Sequence, residues 1–264
     1  MTSPAPAAPA KSRKPRYPAT VKHVQVLTPH MVRVTFTSPE LAEFGWNGPA
    51  AHIKLIFAAN GTSAAPAADA EAPRPIMRTY TPRRFDQDSR ELDVDFVIHG
   101  EGPASAWASQ AAVGQSLLVA GPGRSYAVDP NADWFVLAGD DSALPAIATI
   151  LQDLPPKARA IVFIEVVDGR EEQPIASAAN ASITWLHRGE DPAKAGSLLE
   201  AKLRELPSLP GSGRWYVACE SGAMRRIRRY LLSERSLERD HVVTRGYWKL
   251  GATDHPDGDY GQDT

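Results

Sequence analysis

The chain has 264 residues and a mass of 28.6 kDa, which is enough for one large domain or two ordinary ones. Its 29 Lys and Arg residues against 31 Asp and Glu residues give a formal net charge of −2, a balance that argues against a nucleic-acid-binding protein. No apolar run approaches the ~18 residues that a membrane span needs, and the single cysteine, Cys219, excludes an intramolecular disulfide and an ordinary iron–sulfur cluster.

The two ends of the chain differ in composition from the rest. Residues 1–16 are rich in Ala and Pro and carry four basic residues and no acid, so we predict a disordered tail. This segment lacks the apolar stretch of a secretory signal, so we expect a cytoplasmic protein. Residues 252–264 carry four aspartates and no Lys or Arg, which predicts an acidic C-terminal tail exposed to solvent.

Residues 17–130 consist mainly of short segments with β-branched residues and partial alternation, separated by Pro, Gly, Asn or Asp. They are VKHVQVLT, MVRVTFT, AHIKLIF, RTYTPRRF, ELDVDFVIH and SLLVAGP. Several short strands with one helical interruption predict a small antiparallel β-barrel. The low-complexity segment at residues 58–75 is predicted to be a loop, either functional or a disordered insertion.

Residues 131–251 alternate between apolar runs and helical patterns. The runs WFVLAGD, ARAIVFIEV, SITWLHR and RWYVACE are typical of strands buried on both faces, and HVVTRGYW is predicted to be a last strand. Helices are predicted for SALPAIATILQDL, GSLLEAKLREL and SGAMRRIRRYLLSERSL. The pattern therefore predicts a doubly wound parallel sheet, an α/β domain that follows the β-barrel.

The hexapeptide RTYTPR is the first candidate site. On one strand, Arg78, Tyr80 and Pro82 would share a face, and Thr79 and Thr81 would share the other. A guanidinium matches the geometry of a phosphate, an aromatic ring can form a wall for a flat redox ring, and a hydroxyl can contact a reactive nitrogen. The alternative is an amphipathic barrel strand with an exposed arginine and a core tyrosine.

The segment HGEGPASAWASQ, which follows a predicted strand, is the second candidate. Gly102 allows a tight turn and Pro103 suits the first position of a helix, so the free amides near Ala104 and Ser105 form a candidate site for a pyrophosphate. An ordinary strand–turn–helix is the alternative, and His99 is more typical of a structural histidine than of a catalyst.

The segment AGDDSALPAIATIL is the third candidate, because a buried strand runs into Asp140, Ser142 and a helix, where open α/β sheets bind ligands. A capped helix is the alternative. Asp168 follows the next strand, where an acidic side chain can contact an adenosine ribose and would disfavour a 2′-phosphate. Arg225 and its neighbouring arginines could instead bind a 2′-phosphate, and the alternative is that they form a solvated helix face. The pattern leaves NADH and NADPH both open.

Taken together and in this order, these segments resemble the siderophore-interacting protein family, which comprises flavin-dependent ferric-siderophore reductases of the ferredoxin-NADP reductase superfamily. The segments that carry the resemblance are RTYT at 78–81, DFVIHGEGPASAWA at 95–108, AGDDSALPAIATIL at 138–151, CESGAMRRIRRYL at 219–231 and RGYWKLG at 245–251.

The resemblance implies three groups of site residues. Those implied to bind FAD, without a covalent link, are Arg78, Thr79, Tyr80, Thr81, Val97, His99, Gly102, Pro103, Ala104 and Ser105. Those implied at the NADH or NADPH site are Asp140, Ser142, Ala143, Asp168, Glu220, Arg225 and Trp248. A basic rim for an anionic ferric siderophore is implied at Lys54, Arg124 and Lys249, the last in a YWK sequence where many family members have YWR.

The implied function is a ferric-siderophore reductase that passes electrons from NAD(P)H through FAD to siderophore-bound Fe(III) and releases Fe(II). A flavin takes two electrons as hydride and returns them singly, so no general acid, general base or protein metal ligand is expected. A monomer with a small-molecule iron chelate as its partner is also expected. The alternatives are a flavoreductase with another acceptor, such as ferredoxin, a quinone or free flavin, and a non-catalytic siderophore-binding protein.

Overall fold

A computed structural model describes residues 15–58, 74–100, 102–255 and 259–261 of the chain. The parts of the predicted tails and of the predicted loop that lie outside the described residues are 1–14, 59–73, 256–258 and 262–264. The first strand begins at Arg16, the last residue of the predicted N-terminal tail.

Seven strands and one short helix form the N-terminal half of the molecule. They are β1 (Arg16–Thr28), β2 (Met31–Thr37), β3 (Ile53–Phe57), β4 (Ile76–Tyr80), β5 (Pro82–Asp86), β6 (Glu91–Val97), α1 (Pro103–Ala108) and β7 (Ser116–Ala120). The strands form one sheet in the order β4-β3-β7-β1-β2-β6-β5, and neighbouring strands are antiparallel. The predicted antiparallel β architecture of this half is confirmed.

The core of this sheet is built around Trp107 of α1. Its indole stacks on Phe36 at a centroid distance of 6.0 Å and contacts Phe57 and Phe96 at 5.8 and 5.7 Å. Aromatic side chains bury a large apolar area each, so these contacts fix α1 against the core of the sheet. The start of α1, which follows β6, is thereby held in a defined place.

The segment RTYTPRRF, predicted to be one strand, is two strands. β4 pairs with β3 and β5 pairs with β6, so the two lie at opposite ends of the strand order, with Thr81 at the junction. Pro82 has no N–H to donate to a ladder and occupies the first position of β5. The prediction that Pro82 shares a strand face with Arg78 and Tyr80 is therefore wrong.

The C-terminal half contains five strands and three α-helices among its described residues. Its main elements are β8 (Trp134–Asp140), α2 (Leu144–Asp153), β9 (Arg159–Val166), β10 (Asn180–His187), α3 (Ser197–Glu205), β11 (Gly213–Glu220), α4 (Ser221–Arg229) and β12 (Val242–Trp248). The strands are parallel in the order β10-β9-β8-β11-β12. α2 packs in the core on one face of the sheet, and α3 and α4 pack in the core on the other. This confirms the predicted doubly wound parallel sheet.

The segment SITWLHR, predicted to be buried on both faces, forms the edge strand β10. It pairs with β9 alone, and its residues are exposed or half-buried, with residues 183–186 all half-buried. Ile183 and Trp185 pack against the core on one face of the sheet and Leu186 packs against the core on the other, while Ser182 is exposed. An apolar run does not show whether one strand or two will pair with it, so the edge position of this strand was not predicted.

The two halves are joined by hydrogen bonds across their boundary. The Ala50 amide donates to Thr149 Oγ1 at 2.9 Å, and the Arg83 guanidinium donates to Gln152 Oε1 at 2.9 Å. The His30 ring also pairs with the Glu171 carboxylate at 2.9 Å. Among the helices of the described segments, none combines the length and the apolar character required to span a bilayer.

Candidate functional site

The strand β4 presents two different faces. Ile76, Arg78 and Tyr80 are half-buried, whereas Met77 and Thr79 are exposed, as the alternation of a half-covered edge strand requires. Loss of solvent around the half-buried Tyr80 phenol raises its pKa above the usual value. Tyr80 therefore presents a neutral aromatic surface next to the Arg78 guanidinium.

Tyr80 brings the first two candidate segments into contact. Its ring lies 4.5 Å from that of Phe96, the residue before Val97, which ends β6. β4 and β6 are not neighbours in the sheet, so this contact arises from closure of the sheet around its core. The RTYT segment thus adjoins the strand that leads into α1.

The start of α1 presents backbone N–H groups beside open space. Gly102 is the N-cap and Pro103 the first helical residue, so the amides of Ala104 and Ser105 lie in the first turn, where an α-helix leaves its N–H groups without intrahelical partners. A Cβ built on Gly102 would meet no atom within 4 Å. The Ser105 hydroxyl accepts a hydrogen bond from the His99 amide at 2.8 Å and so closes the preceding loop.

These groups fit the chemistry of a flavin dinucleotide. Arg78 supplies a cation with several N–H donors, the α1 start supplies backbone donors, and Tyr80 supplies an aromatic wall. A pyrophosphate requires such donors and a flavin ring requires such a wall. The donor set and the open approach to Gly102 are therefore compatible with FAD.

A cavity of about 410 Å³ lies beside β4. The residues that line it are Lys54, Pro75, Ile76, Met77, Arg78, Asp254 and His255. The Lys54 ammonium donates to Thr79 Oγ1 at 2.7 Å, which ties β3 to the exposed face of β4. Of the three predicted rim residues, Lys54 therefore borders this cavity. Arg124 and Lys249 are exposed and are not among its lining residues.

The end of β8 is organised around the carboxylate of Asp140, which is 1% exposed. Its Oδ1 accepts hydrogen bonds from the amide and the hydroxyl of Ser142, at 3.1 and 2.5 Å. Its Oδ2 accepts from the Glu220 amide at 3.0 Å and from the Trp248 indole N–H at 2.8 Å. The structure thus brings four of the predicted nucleotide-site residues together, with Ala143 buried directly after them.

Burial and the neighbouring Asp141 carboxylate raise the pKa of Asp140 to about 7, against the opposing hydrogen bonds from Ser142 and Trp248. A carboxyl group with a raised folded-state pKa contributes stability that is fully present below the unfolded value of 3.8 and is lost as the pH rises through about 7. The charge state of this group therefore changes near neutral pH.

We expect the free energy of unfolding of the chain, relative to that of an Asp140→Asn variant, to fall between about pH 4 and about pH 7. The fall is on the order of 3 to 4 kcal/mol, because one pKa unit corresponds to about 1.4 kcal/mol. Urea unfolding of both proteins across this interval measures it. A constant difference between the two proteins would contradict the assignment.

At the end of β11, Glu220 makes structural hydrogen bonds and Cys219 is buried. Glu220 Oε2 accepts from the Ala223 amide at 2.9 Å and caps α4, and its Oε1 accepts from the Leu250 amide at 3.3 Å. Burial raises the pKa of the Cys219 thiol well above its usual value, so the thiol is not a nucleophile at neutral pH.

Asp168 and Arg225 do not join the Asp140 cluster. The Asp168 carboxylate caps the turn after β9 and pairs with the Arg170 guanidinium at 2.6 Å, and these hydrogen bonds lower its pKa to about 2. Arg225 donates to the carboxylate of Asp259 at 2.9 Å and also contacts Ser221. The prediction that both contact a nucleotide stays a prediction.

The C-terminal segment, defined here as residues 252–255 and 259–261, contacts both halves of the molecule. The Arg78 guanidinium donates to the Thr253 carbonyl at 2.9 Å and lies 3.4 Å from the Asp254 carboxylate. Asp259 is only 7% exposed, so at this residue the predicted solvated tail is not solvated. The sequence offered no signal for this docking beyond the acidic composition.

The Asp259 carboxylate anchors the C-terminal segment. It accepts hydrogen bonds from the Ser221 hydroxyl at 2.6 Å and the Gly261 amide at 3.0 Å, and it pairs with His255 at 2.9 Å. These donors lower the pKa of Asp259 despite its burial. The Tyr260 carbonyl also accepts from the Thr244 hydroxyl at 2.7 Å, so the segment is held beside α4 and β12 by this buried charge together with a neighbouring hydrogen bond.

We expect Asp259→Asn to release this segment, because an amide replaces one accepting oxygen with a donor that faces other donors. Hydrogen exchange of its amides should accelerate about 30-fold, which corresponds to about 2 kcal/mol for a lost charge-assisted bond. Asp254→Asn is the matched control, since the Asp254 side chain is 75% exposed. Equal exchange rates in the two variants would show that Asp259 is not the anchor.

Two sequence models of one protein family match the chain. The model described as siderophore-interacting FAD-binding domain matches residues 20–126, and the model described as siderophore-interacting protein matches residues 132–251. The first match covers the antiparallel half and the second covers the parallel half. Both halves of the molecule are therefore represented in the family.

Similar proteins are also found among curated sequences and solved structures. The ferric vibriobactin reductase ViuB of Vibrio cholerae is 35% identical over 232 residues, 84% of this chain and 85% of that protein. The NADPH-dependent ferric-chelate reductase of Escherichia coli is 30% identical over 197 residues, 67% of this chain and 77% of that protein. The crystal structure of a siderophore utilization protein from T. fusca matches with a TM-score of 0.83 at 35% identity, covering 95% of this chain and 98% of that one.

Proposed function

Since the chain belongs to the siderophore-interacting protein family, we propose that it is a ferric-siderophore reductase that uses NAD(P)H and FAD to reduce siderophore-bound Fe(III). The observation that carries the proposal is the contact of Tyr80 with Phe96, which places Arg78 next to the strand that leads to the open start of α1. The name of the Vibrio cholerae relative supports a ferric siderophore as the substrate.

We assign the binding of FAD to the residues around β4 and α1. Arg78 and the amides of Ala104 and Ser105 would hold the pyrophosphate, and Tyr80 would cover the flavin ring, with Thr81 at its edge. When bound, FAD accepts two electrons as hydride and passes them on one at a time. The side chains here bind and orient, so no general acid or base is assigned.

The nucleotide would bind at the carboxyl edge of the parallel sheet. Ligands of open α/β sheets lie at this edge, where Asp140 fixes Ser142, Glu220 and Trp248 in one cluster. These hydrogen bonds order the turn after β8 and the start of α4. The cluster would thereby shape the pocket for the nicotinamide half of the donor.

We propose NADPH as the preferred donor. Asp168 would repel a 2′-phosphate if its carboxylate were unpaired, but Arg170 pairs with it at 2.6 Å. The name of the Escherichia coli relative, an NADPH-dependent reductase, supports this choice. Comparison of kcat/KM for NADPH and NADH tests it, and a preference for NADH would contradict it.

The ferric siderophore would approach the basic rim of Lys54, Arg124 and Lys249. Siderophores with catecholate or carboxylate groups are anionic, and a local basic rim concentrates them although the chain has a net charge of −2. Fe(II) binds hard anionic oxygen ligands less well than Fe(III) does, so reduction releases the metal. We place this reaction in the cytoplasm, where NADPH is available.

The test is Fe(II) production by the FAD-loaded protein with NADPH and a ferric tris-catecholate siderophore, with a colorimetric Fe(II) chelator as the trap. The proposal requires Fe(II) formation that depends on both the protein and NADPH. Oxidation of NADPH by free flavin or a quinone, without Fe(II) formation, would indicate another acceptor. Siderophore binding without NADPH oxidation would indicate a non-catalytic binding protein.

A further inference from the structure

The C-terminal segment contacts the guanidinium that the proposed function assigns to FAD. Arg78 Nη2 donates to the Thr253 carbonyl at 2.9 Å. Arg78 Nη1 donates to the Met77 carbonyl at 2.9 Å and lies 3.4 Å from the Asp254 carboxylate. A phosphate binds a guanidinium most strongly through two N–H groups on one edge, and every edge includes one of these two nitrogens. The segment and a pyrophosphate would therefore use the same donors.

The charge of Asp254 makes this overlap unfavourable for an anionic ligand. Asp254 lines the cavity beside β4 together with the basic side chains of Lys54 and Arg78. Its carboxylate offsets part of the positive charge that would attract a phosphate to this place. A pyrophosphate and a carboxylate beside one guanidinium also repel each other. The two anions are thus alternatives at Arg78.

The two ends of the C-terminal segment are held with different strength. The Asp254 side chain is 75% exposed, and an ion pair of an exposed carboxylate contributes little to stability. Asp259 is buried at the other end, where its carboxylate has several donors and its carbonyl accepts from the Gly246 amide at 2.8 Å. Residues 252–255 can therefore leave Arg78 while residues 259–261 stay docked.

We propose that residues 252–255 compete with FAD for Arg78, so that Asp254 sets the affinity of the chain for FAD. The inference rests on the proposed function, since it takes Arg78 as a ligand of FAD. Residues 252–255 hold Arg78 in the protein without FAD and leave it when FAD binds, while the anchor at Asp259 keeps them near the site. The dissociation constant of FAD is raised by the factor by which the docked segment outweighs the released one.

The first test is equilibrium titration of the FAD-free, full-length chain with FAD. Asp254→Asn should lower the dissociation constant about two- to fivefold, the range expected for loss of one exposed ion pair. Asp259→Asn also releases the anchored end and should lower it further, by about tenfold. Glu205→Gln is the matched control, because the Glu205 side chain is 66% exposed and pairs with Lys202 on α3. An unchanged or raised dissociation constant for Asp254→Asn would overturn the proposal.

The double variant Arg78→Ala, Asp254→Asn separates competition from simple repulsion between Asp254 and FAD. If the segment competes for Arg78, Asp254→Asn has no competitor to remove once Arg78 is alanine. Its effect on the dissociation constant should then fall below about 1.5-fold, a non-additivity expected of residues that share one partner. An equal gain in affinity with and without Arg78 would show repulsion alone and overturn the proposal.

Hydrogen exchange gives a second readout, which needs no catalytic turnover. Linkage is reciprocal, so FAD must weaken the docking of residues 252–255 as much as their docking weakens FAD binding. Saturating FAD should accelerate exchange of their amides and leave the Gly261 amide, which donates to the Asp259 carboxylate at 3.0 Å, protected. Slower exchange of residues 252–255 with FAD would show that the segment closes over the cofactor, and unchanged exchange would show that it stays on Arg78. Either result would overturn the proposal.

These outcomes are distinguishable from failure of the proposed reaction. If the full-length chain bound no FAD, this inference and the assignment of the FAD site would both be rejected. Tighter FAD binding by Asp254→Asn and faster exchange with FAD, in a protein that forms no Fe(II) from a ferric siderophore, would leave the inference standing. That combination would reject only the proposed reduction.

Discussion

Replacement of Arg78 by alanine is expected to raise the dissociation constant of FAD on the order of 10- to 100-fold. A hydrogen bond to a charged group contributes about 1.5 to 3 kcal/mol, and each 1.4 kcal/mol corresponds to about a tenfold change in affinity. Equilibrium titration of the FAD-free protein with FAD, followed by the quenching of flavin fluorescence, measures the effect. The fold should persist, because Arg78 is a half-buried residue of an edge strand.

Arg83→Ala is the matched control for this experiment. It removes the same charge from β5, the next strand along the chain, where the guanidinium contacts Gln152 of α2 rather than the cavity beside β4. Its FAD affinity should stay within about twofold of that of the unchanged protein, in line with the small effects of substitutions away from a site. Equal affinities for the Arg78 and Arg83 variants would contradict the assignment of Arg78 to the FAD site.

Gly139→Ala is expected to destabilise the parallel half by about 2 to 3 kcal/mol, because extra atoms in a close-packed core force backbone shifts. A Cβ on Gly139 would lie 2.6 Å from Ala143 Cβ and 2.7 Å from the Ala218 carbonyl oxygen. Neither group can rotate away. Since Gly139 precedes Asp140, the displaced turn would also disturb the proposed nucleotide site.

Urea unfolding of the Gly139→Ala variant measures this loss of stability. Gly45→Ala is the control, because a Cβ at Gly45 would meet no atom within 4 Å. We expect the control to stay within about 0.5 kcal/mol of the unchanged protein. Similar stabilities for the two variants would show that the turn after β8 is not as tightly packed as described.

The sequence predicted the architecture well where the pattern was strong. Alternation of apolar runs with helical periods is a repeated signal, so the parallel sheet and its helices were predicted from many residues at once. The edge position of β10 was not predicted, because Ile183, Trp185 and Leu186 form the same apolar run in an edge strand as in a central one. Strand pairing depends on the order of the strands in the sheet, which no local pattern encodes.

The candidate site was predicted in part. The residue types of the RTYT segment predicted a candidate site. The end of the strand before Thr81 was not predicted, because it depends on which strands pair on either side of Thr81. The contact between Tyr80 and Phe96 likewise depends on the closure of the sheet. The docking of Asp259 on Ser221 likewise joins residues 38 positions apart. Such contacts follow from the assembled fold and leave no periodic signal.

Anaerobic stopped-flow of the FAD-loaded protein tests the central claim most directly. The protein is mixed first with NADPH and then with a ferric tris-catecholate siderophore, while flavin absorbance and Fe(II) formation are followed. The account predicts bleaching of the flavin by NADPH and its recovery on addition of the siderophore, in step with the appearance of Fe(II). A flavin that NADPH fails to bleach, or that stays bleached when the ferric siderophore is added, would contradict it.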